Sequence, residues 1–145
     1  MNKYIILLHV LAATVWVGGH LILAIGILPA VLKNKDVDLL LGFETKYERV
    51  GMPALLILVI TGLYMAISYL PISQWFVFSN DLSRHISIKI ILLATTIAFA
   101  LNARFRVIPK LTEDSLKLMG FHIISVTILA VLFLVTGMSF RLNIL

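Results

Sequence analysis

The chain contains no cysteine. That absence removes disulfides, thiolate metal sites, thiol nucleophiles and the sequences that attach haem covalently. Charge is scarce as well: 13% of the residues are Asp, Glu, Lys or Arg, roughly half the usual 25% share of a soluble domain. All seven acidic residues fall in connecting stretches or at helix ends, so paired carboxylates placed for acid and base chemistry are missing. No His-Glu-x-x-His run and no glycine-rich phosphate loop occurs. Internal repeats, low-complexity tracts and extended linkers are absent too. The basic residues lie between apolar runs, without a recognition helix or an aromatic platform, and this argues against nucleic acid as a partner.

What remains is apolar sequence, at 61% of 145 residues. This is the size of one domain with the composition of a membrane protein. Four runs are long enough to cross a hydrocarbon layer of roughly 30 Å at about 1.5 Å per residue. They cover about 4–32, 50–70, 82–103 and 118–140 of the sequence. Joined by short connections, they predict an all-α fold, an integral membrane antiparallel four-helix bundle forming a single transmembrane domain, with the lipid bilayer as its first partner. The first run is too long for a signal-peptide core, so it is expected to stay as a span. Residues 33–49 read as a polar connection, part of which has helical spacing through Leu39, Leu40, Phe43 and Tyr47. Pro71 ends the second span. Trp75, Phe76 and Phe78 then lead to Asp81 or Ser83 as the cap of the third helix, the aromatic-then-polar order of chain lying at headgroup level.

The bases set the orientation. Lys33, Lys35, Lys46, Arg49, Arg104, Arg106, Lys110 and Lys117 cluster in the first and third connections, against Lys3, Arg84 and Arg141 at the other end. The positive-inside rule places the first group in the cytoplasm and both termini outside, as expected of a multi-pass protein of a bacterial cytoplasmic membrane.

Every histidine of the chain lies within or at the end of a span. His9 and His20 are eleven residues apart in the first span, which brings them to within about 20° of one face at depths about 16 Å apart. The topology sorts the four rings into an outer pair, His9 with His85, and an inner pair, His20 with His122. Ala12, Ala13, Trp16 and Gly19 share the first face, mostly small residues with one large ring, which suits either close helix packing or a flat macrocycle. Imidazoles from two helices at one depth are the ligands of b-type haem, and the pairs allow one haem or two. Lys89, one turn from His85, has no acidic residue in its span; it either snorkels to the headgroups or meets a propionate or another anion. Copper is the alternative, because imidazole and thioether both suit Cu(I) and the chain has five methionines, although these are not grouped. In a third reading the protein is a structural membrane subunit, its histidines bonding between helices.

Leu8-His9-Val10, Trp16-Val17-Gly18-Gly19 and Pro29, with Lys89, Asn102, Arg104 and Pro109, resemble the copper-resistance protein D family. The Leu8-His9-Val10 opening, the Trp16-to-Gly19 stretch, Pro29 and Lys89 are similar also to the four-span HemJ-type protoporphyrinogen oxidases. The second resemblance implies roles in haem binding and activity for His9 and Lys89, and a membrane oxidoreductase if the chain is an enzyme. His20 stands where these relatives are usually apolar. That extra inner histidine points toward a small b-type haem protein engaged in electron transfer with an unidentified redox partner, as a single chain or a homo-oligomer.

Overall fold

The computed structural model describes the backbone of residues 2–142 and side chains as far as Ser139. Met1, Asn143 and the Arg141 side chain, which enter the sequence reading, lie outside the described residues. Four long helices make up the fold: α1 (Lys3–Asn34), α2 (Val37–Tyr69) and α3 (Asp81–Lys110), followed by α4 (Leu116–Leu142). All four runs are long and apolar enough to cross a membrane. Consecutive helices run antiparallel. One end of the bundle carries the basic connections α1–α2 and α3–α4, and the other carries the N-terminus and the α2–α3 connection.

The largest departure from expectation is the stretch 33–49. Only Lys35 and Asp36 separate α1 from α2, and the charged segment is the first part of a 33-residue helix. The reason is phase. Leu40, Phe43, Tyr47, Gly51, Ala54, Leu58 and Thr61 recur at three- and four-residue steps, one unbroken stripe that continues from polar into apolar sequence. Lys35 adopts a left-handed conformation at φ 53° to end α1, and the Asp36 carboxylate accepts the Leu39 amide at 2.8 Å to start α2. At about 1.5 Å per residue α2 is some 50 Å long, so its charged turns extend beyond a bilayer core.

Two helices contain a π-helical turn close before a proline: Ile22–Ile27 before Pro29 in α1, and Ala103–Val107 before Pro109 in α3. Proline has no amide to donate and crowds the preceding turn, and a widened turn is one way for a helix to absorb that. Both turns lie at the basic end, one just after His20 and the other just after Asn102.

The α2–α3 connection also differs in detail. Trp75 is buried, stacking with Leu70 and Ile86 and donating its indole N–H to the Leu70 carbonyl at 2.9 Å; only Phe76 and Phe78 are exposed as headgroup-level aromatics. Ser83 and Ser87 donate to the Trp75 carbonyl. The cap of α3 is Asn80, whose side chain accepts the Ser83 amide at 2.8 Å, one residue before Asp81.

α1 packs along α2 and α4, and α3 along α4, whereas α2 and α3 approach one another very little. The helices therefore form an arc in the order α2, α1, α4, α3, closed at the α2–α3 connection by Leu63, Ala66, Leu70, Trp75, Ile86 and Ile90 and open between α2 and α3 toward the basic end. Leu23, Leu28, Val31, Leu40, Val107, Leu116, Met119 and Ile123 fill the basic end, and Trp16, Val17, Val126 and Ala130 the middle.

Candidate functional site

A cleft of about 320 Å³ opens on the gap between α2 and α3. Its floor is α1 and α4, with Trp16, His20, Met119, His122, Ile123 and Val126; α2 contributes Glu44, Tyr47 and Glu48 to one wall, and α3 contributes Ala100, Ala103 and Arg104 to the other. The inner histidine pair expected from topology thus shares one cavity. Trp16 lines it too, while Gly19 lies behind Tyr47: a Cβ on that glycine would stand 2.0 Å from the tyrosine ring.

His20 is buried, and its Nδ1 lies 2.9 Å from the Trp16 carbonyl one turn back. A carbonyl only accepts, so Nδ1 carries the proton and Nε2 the lone pair. Nε2 has no hydrogen-bond partner among the described residues and belongs to the ring that faces the cleft. The Trp16 ring flanks the imidazole, with centroids 4.3 Å apart, and Tyr47 meets it edge-on at 5.5 Å. The Thr127 hydroxyl of α4 reaches the His20 carbonyl at 3.2 Å, which ties the two floor helices at this level.

His122 is arranged differently. Its Nδ1 donates to the Leu118 carbonyl at 2.9 Å, and Nε2 accepts from the Asn102 amide at 2.8 Å. Both nitrogens are therefore engaged. Of the two rings in the cleft, His20 alone presents an unengaged lone pair.

The outer pair has separate surroundings. The Thr61 hydroxyl donates to the Ile57 carbonyl, so its oxygen accepts from His9 Nδ1 at 2.7 Å; Gly62 leaves room for the same ring. His85 donates Nδ1–H to the Asp81 carbonyl at 2.7 Å and faces the Ser139 hydroxyl at 3.4 Å. Lys89 lies against Gly137 and within Coulombic reach of His9, and it makes no hydrogen bond or ion pair among the described residues.

Several cleft residues carry no sequence signal strong enough to select them. Tyr47, Glu44 and Glu48 sit in the stretch that reads as a connection, and only the four-residue spacing Phe43, Tyr47, Gly51 hints that this face is buried. Glu48 pairs with Arg104 across the mouth. Asn102 and Arg104 read as the exit of a span until α3 is seen to continue to Lys110.

These features define a multi-pass membrane protein with a half-enclosed imidazole cleft. The family model for copper resistance protein D matches residues 41–139, and the chain belongs to that family. The matched region holds Tyr47, Lys89, Arg104 and His122, whereas His9, Trp16, Gly19 and His20 precede it. No curated protein and no solved structure matches the chain.

Proposed function

We propose that the cleft binds b-type haem through His20 and that the protein carries electrons at the membrane, with the basic end in the cytoplasm. The observation that carries this reading is the His20 ring. Its Nδ1 is anchored on a backbone carbonyl and its Nε2 lone pair is unengaged, the usual arrangement of an imidazole metal ligand. A porphyrin supplies four of its own nitrogens to iron, so one protein imidazole is enough to hold it. A bare ion needs several protein ligands, and among the described residues no three His, Asp or Glu side chains come together. The lining agrees: the cleft is mostly apolar and is walled on one side by the small residues Ala100 and Ala103. Trp16, Met119, Ile123 and Val126 would exclude water from the ligand atom, and Arg104 at the mouth offers charge to a carboxylate. Bound iron would supply a one-electron couple.

Copper is the second reading, favoured by the family and by the buried thioether of Met119, which lines the same cleft as His20 and Glu44. One preparation separates the two. The protein is purified in mild detergent without added metal, and a reduced-minus-oxidised visible spectrum is recorded beside a metal analysis. Haem bands with stoichiometric iron support the first reading; copper without haem supports the second and overturns the first. A folded protein with neither overturns both.

A further inference from the structure

We propose that Tyr47 is a positioning residue for His20, holding the imidazole so that Nε2 faces the cleft. The proposal rests on the reading of His20 as the metal ligand for its use, but the geometry stands without any cofactor.

Tyr47 comes from α2 and reaches across to α1. Its hydroxyl is 3.0 Å from the Trp16 carbonyl and 3.3 Å from the Val15 carbonyl, and it is 3.3 Å from His20 Nδ1. Only one assignment of protons satisfies all of these. The phenol O–H donates to the α1 carbonyls, and its oxygen then offers a lone pair to the Nδ1–H of His20. The Nδ1 proton has two acceptors, the Trp16 carbonyl within α1 and the phenol oxygen from α2. The first fixes the ring against the backbone of α1, but it cannot fix the ring relative to α2. The second can.

The phenol ring is itself held. Gly19 and Gly51 leave its seat: a Cβ on Gly19 would lie 2.0 Å from Cε2 of Tyr47, and one on Gly51 would lie 2.9 Å from Cε1. Phe43, one turn earlier on α2, stacks on its outer face at 5.7 Å and 19°. Two glycines on two helices and a stacked phenylalanine position one hydroxyl on one carbonyl, with the imidazole beside it. A phenylalanine at position 47 would fill the same seat, so the hydroxyl is what this arrangement uses. A hydrogen bond to the distal nitrogen of a ligating imidazole makes that ligand more basic and favours the oxidised metal.

The test is Tyr47→Phe, which keeps the ring and removes the oxygen. In cofactor-free protein the Nδ1–H resonance of His20, assigned with ¹⁵N-labelled histidine, is expected to be protected from solvent exchange. In Tyr47→Phe it should exchange at least tenfold faster, while thermal unfolding shows the variant still folded. In haem-loaded protein the same change should move the midpoint potential to more positive values with the haem content unchanged. Equal exchange rates in the two proteins would overturn the proposal, as would an unchanged potential. Haem-free wild-type protein would sink the proposed function, yet the exchange measurement would still decide the role of Tyr47. Tyr64→Phe, which removes a phenol from an exposed position of the same helix outside the cleft, serves as the control and should leave the exchange rate within about twofold and the potential unchanged.

Discussion

The Asn102 side-chain amide lies 2.8 Å from Nε2 of His122, and this bond makes the two histidines of the cleft chemically unequal. Asn102 is the last residue before the π-helical turn of α3, so the widened turn and the amide together direct a donor at the ring. His20, opposite, has its corresponding nitrogen unengaged. One imidazole offers an unengaged lone pair to the cleft, and the other has its lone pair taken by an amide.

His20→Ala is therefore expected to abolish haem retention, and His122→Ala to preserve it, as read from the haem-to-protein ratio after purification. His122→Ala should still lower stability by about 1–3 kcal/mol, because it empties the place of a buried ring and takes the acceptor from the half-buried Asn102 amide. Asn102→Leu should release the Nε2 lone pair of His122 into the cleft and, if haem is bound there, alter its visible spectrum. Full haem content in His20→Ala would show that the ligand lies elsewhere.

Adjacent glycines in α1 should respond in opposite ways. A methyl on Gly18 meets nothing within 4 Å, whereas one on Gly19 meets Tyr47 at 2.0 Å. Gly18→Ala is expected to be neutral or to stabilise α1 by up to about 1 kcal/mol, the ordinary helix advantage of alanine. Gly19→Ala has to move the Tyr47 ring and should destabilise by about 1–3 kcal/mol. Thermal unfolding in detergent decides it, and equal behaviour of the two variants would contradict the seat described for Tyr47.

This contrast shows where the sequence is legible and where it is not. The four spans follow from run length and hydropathy alone, because a bilayer demands about 20 apolar residues whatever the packing. The depth of each histidine follows from chain order, and His20 and His122 do share a cavity. Tyr47 is legible as one position of a helical stripe but not as a wall of the cleft, because Lys46, Glu48 and Arg49 beside it read as a polar connection and the stripe joins the second span only when α2 continues through them. The engagement of His122 by Asn102 depends on a π-helical turn, which no spacing rule based on 3.6 residues registers. Trp75 follows the same pattern: its composition suits the headgroup layer, but the carbonyls of a tight connection draw it inward.

The Glu48–Arg104 ion pair should matter more for the opening than for stability. Both side chains are substantially exposed, at 37% and 53%, and exposed pairs contribute about 0–1 kcal/mol. It is nevertheless the one ion pair that joins α2 to α3 among the described residues. Glu48→Gln is expected to leave the unfolding temperature nearly unchanged while broadening the distance distribution between spin labels placed at the exposed positions Thr45 and Phe105. An unaltered distribution would mean that packing, through α1, α4 and the apolar cluster around Trp75, holds the arc at its present width without the ion pair.

Lys89 is the last case, and its sign is the opposite of a structural ion pair. Its ammonium lies inside a span with no carboxylate partner among the described residues, beside the open backbone of Gly137 and near His9. A lone cation in such a place costs on the order of 2–3 kcal/mol when it cannot reach water, and less when its stem lets it snorkel. Lys89→Met keeps the length of the stem and removes the charge. The variant is expected to be at least as stable as the wild type, gaining up to about 2 kcal/mol, and to leave the haem content expected under the proposed function unchanged, since Lys89 does not line the cleft. Gly137→Val should act in the contrary direction, because a Cβ there already meets the lysine Nζ at 3.5 Å and larger branches must displace it. Thermal unfolding of the two variants measures both effects. A marked loss of stability in Lys89→Met would show that the ammonium is held by a favourable interaction, and it would place an anion at the outer end of the bundle.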